Sequence, residues 1–125
     1  MRESEAGALS AQPIELHPPN TYAAISDNRL SVEVVIDNYA LPATTMIARP
    51  DAVHIMLADV DDLAVWLDAL GGDVHRGAET DGASLWTLHT QTPRGLRGTT
   101  VPIRVHAPVV VGEAILAEIE SAVTK

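Results

Sequence analysis

Four histidines, His54, His75, His89 and His106, fall in segments whose residue pattern predicts β-strands. In the segment from Val53, the apolar Val53, Ile55 and Leu57 alternate with His54 and Met56. In the last such segment, Val101, Ile103, Val105 and Ala107 alternate with Thr100, Pro102, Arg104 and His106. A period of two puts successive side chains on opposite faces, so His54 and His106 are expected on the wetter face with Met56 and Arg104. Imidazoles from several strands of a curved sheet can hold zinc, iron, nickel or copper. His54, His89 and His106 are therefore the candidate ligands for a divalent metal. The same residues also suit the wet face of an antiparallel sheet, or a face packed on a second subunit.

The other candidates concern ligand binding. Arg94 and Arg97 in the loop PRGLRG can fork a carboxylate or phosphate, with glycines allowing close approach, or can simply solubilise a hairpin loop. Arg104 on the wet face and Trp86 on a strand complete the candidate set, although Trp86, like Trp66, lies in an apolar run that suits the core. No catalytic residue is assigned. The chain lacks a G-x-S-x-G elbow, a phosphate-binding Walker loop, a G-x-G-x-x-G turn and an H-E-x-x-H pair. The acidic run Asp59, Asp61 and Asp62 lacks the glycine and distal glutamate of a calcium loop. Helix capping accounts for its carboxylates.

Those side chains need elements to position them. The stretch from Asp51 to Gly72 predicts a strand, an amphipathic helix and a glycine stop. Asp59 is the expected N-cap, Leu63, Trp66, Leu67 and Leu70 form one apolar stripe, and Gly71 is the expected C′ residue. Upstream, 1–20 is expected to be a mobile or extended N-terminal segment, with His17-Pro18-Pro19-Asn20 stiff. Tyr22 to Ile25 predicts a short strand, Ser26-Asp27-Asn28 a turn, and Leu30 to Ile36, alternating apolar and polar, a strand. Thr44 to Arg49 predicts another strand. Downstream, Asp73 to Glu79 and Ser84 to Thr92 predict strands joined by a two-residue turn at Asp81-Gly82. In the last strand Pro102 implies an edge position or a bulge, and Pro108 is expected to stop it. A final helix is expected from Val111 or Gly112, with Ile115, Ile119 and Val123 on one face. The expected fold class is α+β. A β-rich entry leads into β-α-β-β-β-α, forming a mainly antiparallel sheet with two helices on one face, in a single domain over 21–125.

Composition bounds the function. The chain has 125 residues, 46% of them hydrophobic, enough for one packed domain. Its net charge of −9, from 17 acidic against 8 basic residues, argues against non-specific nucleic-acid binding. The absence of cysteine excludes disulfides, thiolate catalysis and cysteine-ligated metal centres. No signal peptide and no membrane span are expected, and the default location is the cytoplasm. One lysine against seven arginines, with abundant Ala, Val and Asp, resembles the usage of GC-rich bacterial genomes such as those of actinobacteria.

The residues H-I-x-L-x-D-x-x-D-L followed by L-x-x-L-G-G, from His54 to Gly72, resemble one module of the vicinal oxygen chelate superfamily, which includes the glyoxalases and bleomycin-resistance proteins. The order β-α-β-β-β is similar as well. The resemblance covers about half the chain. It implies a divalent metal held inside a cupped sheet, with His54 as the first-strand ligand and His106 near the usual last-strand ligand. That family normally uses two modules, and the residues before Asp51 do not repeat the pattern. The last strand here offers His where Glu is customary.

The expected function is a small soluble bacterial binding or regulatory module without catalysis. It would act as a homodimer and through contact with a protein partner, with Val35 and Met56 among its exposed apolar residues. One alternative is a glyoxalase-like metal- or small-molecule-binding protein. Another is an acidic inhibitor encoded by a mobile element.

Overall fold

A computed structural model describes residues 21–95 and 98–124. The expected N-terminal segment 1–20 therefore lies outside the described residues. In chain order the elements are α1 (Thr21–Tyr39), β1 (Thr45–Ala48), β2 (Val53–Met56), α2 (Asp62–Leu70), β3 (Asp73–Arg76), β4 (Ala83–Gln91), β5 (Pro102–Val110) and α3 (Ala117–Ser121). The fold is α+β with a mostly antiparallel five-stranded sheet in the order β1-β2-β5-β4-β3. Of the neighbouring strand pairs only β2 and β5 are parallel, because α2 intervenes after β2 and returns the chain across the sheet.

The largest departure from expectation is α1. Tyr22 to Ile25 and Leu30 to Ile36 are not strands, and Ser26-Asp27-Asn28 is not a turn; all belong to one helix of 19 residues. The alternation of Leu30, Val32, Val34 and Ile36 is incidental. The helix buries Val32 and Val35, one turn apart, and leaves Leu30 and Val34 exposed. Val35, expected at the surface, is thus core. Asn28, one turn before Val32, spends its amide on the chain reversal after β1, donating to the Arg49 and Pro50 carbonyls at 2.9 and 3.2 Å.

The β2–α2 unit follows the sequence closely. Asp59 Oδ1 accepts the Asp61 N–H at 3.0 Å, while Asp62 and Leu63 donate to the carbonyls three residues back. The entry is therefore a tight i→i+3 turn, and the helix proper starts at Asp62, with Asp61 rather than Asp59 at the N-cap position. Leu63 and Trp66 are fully buried, and Trp66 Nε1 donates to the Pro42 carbonyl at 2.7 Å. Gly71, with φ 74°, sends its N–H to the Leu67 carbonyl and ends the helix.

The Asp81-Gly82 turn is present. Both residues have positive φ, 53° and 81°, and Thr80 and Ala83 exchange both backbone hydrogen bonds at 2.7 and 3.1 Å. The two proline expectations fail. Pro102 marks neither an edge nor a bulge; it is the first residue of the central strand β5, flanked by β2 and β4. Pro108 does not stop β5, which runs on to Val110. His106 presents its carbonyl to Leu57 N–H at 2.8 Å on the β2 side. Pro108, two residues on, directs its missing donor to that same side, where β2 has already ended. The last helix is also shorter than expected. Glu113 accepts the Val110 N–H and closes a turn at Gly112, so the helix begins only at Ala117.

Candidate functional site

Strand alternation sorts the sheet into two faces. Val53, Ile55, Val74, Trp86, Leu88, Ile103, Val105, Ala107 and Val109 are buried and face the helices. Among the described residues no helix covers the other face. On it, register places His54, Arg104, His89 and Asp73 in one row across β2, β5, β4 and β3. Met56, His106, Thr87 and His75 form the next row. All four strand histidines thus share one face, in two adjacent rows around Arg104.

They meet as two pairs. His54 Nδ1 and His106 Nε2 are 3.0 Å apart, one donating and the other accepting, and His106 Nδ1 is 2.8 Å from Thr87 Oγ1. Two tautomer patterns satisfy this chain of three groups. A proton on every ring nitrogen would set N–H against N–H, so the pair accommodates at most one positive charge. Burial, then the neighbouring His54 and Arg104, hold the His106 pKa below its ordinary value. The second pair is His75 and His89, with ring centroids 4.0 Å apart. Burial lowers the His89 pKa, helped by Arg104, His75 and His106 and opposed by Asp73. Both shifts favour the uncharged forms of His89 and His106 beside Arg104.

The other candidates are dispersed. Arg104 lies on the open face, its Nη1 donating to the Ile103 carbonyl at 3.1 Å. Trp86 lies on the covered face, buried, with its Nε1 on Ser84 Oγ and the Arg76 guanidinium 5.8 Å from its ring. Arg94 turns back on its own loop and donates to the Gly98 carbonyl. Arg97 lies outside the described residues. The sequence pattern did not show the role of Thr87. It lies directly opposite His106 in the β4–β5 register, a cross-strand relation that no local motif marks.

Among the described residues no three of His, Cys, Asp or Glu gather around one point that could hold a metal ion. His89 does not join His54 and His106. The His54 and His106 nitrogens alone approach the spacing of neighbouring ligands on a tetrahedral zinc, about 3.3 Å for bonds of about 2.0–2.1 Å. No helix among the described residues is long and apolar enough to cross a membrane. Comparison with family models, with curated proteins and with solved structures finds no match.

Proposed function

We propose that the chain is a small binding module that self-associates along the outer edge of β1 and keeps the open, histidine-lined face of its sheet as its working surface. The observation that carries this reading is the lopsided cover of the sheet. One face is packed by helices, and the β3 edge is closed by the C-terminal segment, where Val74 N–H meets the Ala122 carbonyl and Thr124 N–H meets the Val74 carbonyl, both at 2.9 Å. Among the described residues the opposite edge, β1, has a strand neighbour on one side only, and it carries Ile47, 42% exposed. Bare strand edges present unpaired N–H and C=O groups and invite pairing with another chain. Light scattering of wild type and of Ile47→Asp tests it. A dimer that the variant converts to monomer is the expected result, and a monomeric wild type at high concentration contradicts it.

The His54–His106 pair favours a second reading, a glyoxalase-like metal-binding module. Each copy supplies two imidazoles, so an ion of ordinary coordination would draw on two copies. Protein purified without a histidine tag would then carry stoichiometric metal that His54→Ala loses. Metal-free protein with no thermal shift on adding divalent ions contradicts this reading.

A further inference from the structure

We propose that the open face binds the oxyanion group of a small ligand, a phosphate or a carboxylate, at Arg104 with His89 beside it. This names the ligand class of the working surface proposed above and rests on that surface being open. Three observations carry it.

Charge is segregated. The chain holds 17 acidic residues, yet Asp73 is the sole carboxylate in the five strands. Asp73 stands at the far end of its row, with His89 between it and Arg104. The central part of the open face is therefore locally cationic on a protein of net charge −9.

Arg104 is held but not neutralised. Its Nη1 donates to the carbonyls of Ile103 and, at 3.5 Å, Thr90, whereas its Nε and Nη2 donors make no such bond among the described residues. A guanidinium anchored at one corner presents its remaining donors as a fork that fits a carboxylate or phosphate edge.

There is also room beside it. A surface hollow of about 350 Å³ is lined by Leu70, Gly72, His89, Thr90, Gln91 and Arg104. Gly72 contributes no side chain to its floor, and Leu70 gives an apolar wall for the rest of the ligand. Directly opposite Arg104 in the ladder, His89 adds a ring N–H to the same side.

The test is a nuclear magnetic resonance titration with inorganic phosphate and, separately, with malonate, at ionic strength held constant with chloride. Saturable shifts of the Arg104 and His89 side-chain signals are expected, and the tighter-binding anion identifies the group. Arg104→Gln should weaken that anion at least about tenfold. Arg29→Gln, exposed on α1 on the other side of the sheet, should leave it unchanged. The inference is overturned if neither anion gives saturable shifts at these signals, if folded Arg104→Gln binds like wild type, or if both variants weaken binding equally, which would reduce the effect to general charge. The titration reads the same on a monomer, so failure of self-association leaves this outcome distinguishable.

Discussion

Replacing Gly72 by alanine should unfold much of what positions the open face. Gly72 has φ +120°, and a Cβ built on it would meet the His89 carbonyl oxygen at 2.3 Å and Thr90 Cβ at 3.2 Å. The oxygen belongs to the backbone of β4, which is paired on both sides, so it cannot withdraw without disturbing the β3–β4 or β4–β5 ladder. A glycine-only conformation costs an ordinary residue about 1–3 kcal/mol. Forcing a methyl into a filled site adds about 1–3 kcal/mol. The sum, about 2–6 kcal/mol, is a large part of the 5–15 kcal/mol typical of a domain's total stability. Gly71 is the control: its φ is +74°, but a Cβ there meets nothing within 4 Å, so Gly71→Ala carries the conformational cost alone. Urea unfolding of both variants measures the difference. Gly72→Ala should lose more than Gly71→Ala and should also shift the His89 resonances. A Gly72→Ala variant as stable as Gly71→Ala would refute the close approach of the α2–β3 connection to His89.

Acid should weaken the fold through the histidines. His89 and His106 both have folded pKa values below 6.5, so the unfolded chain binds more protons than the folded one as pH falls past that value. Their stabilising contribution is complete above about pH 6.5 and declines below it until the folded values are passed. The urea midpoint should thus drop between about pH 7.5 and 5.5, and His106→Gln should flatten that drop; an unchanged profile contradicts the assignment. Trp66→Phe should cost about 1–3 kcal/mol by leaving the Pro42 carbonyl without its donor, and a loss below that range in urea unfolding would show the bond to be replaceable by water. Thr87→Val should alter the tautomer balance of His106, read from its ring nitrogen shifts, while leaving the fold intact. Unaltered shifts would remove Thr87 from the chain of hydrogen bonds.

The β-α-β-β-β core was legible because its signals are local and strong. Asp81-Gly82 demands positive φ twice, Gly71 ends a helix, and Val53, Ile55 and Leu57 bury one face. The segment before it was not, because the β-branched Val32, Val34 and Ile36 imitate a strand when read in steps of two. The helical spacing of Asn28, Val32 and Val35, in a run of 19 residues without Gly or Pro, was the competing signal. Pro108 misled because a proline is excluded from a strand only where its nitrogen faces a partner, and that depends on where β2 ends. The histidines' shared face was readable for His54 and His106 from alternation alone. Their pairing was not, since it requires β2 to lie beside β5 rather than next to β3, a topological fact with no local signature.

Self-association along β1 is open to direct test because the chain has no cysteine of its own. A single cysteine placed by Ile47→Cys marks the open edge, and one placed by Glu79→Cys marks the β3–β4 end of the sheet. Treatment with a short bismaleimide should join two copies of the Ile47→Cys protein covalently in high yield and give little or no covalent dimer of the Glu79→Cys protein. Equal yields from the two positions, or no covalent dimer from Ile47→Cys, would contradict the β1 edge as the place where two copies meet.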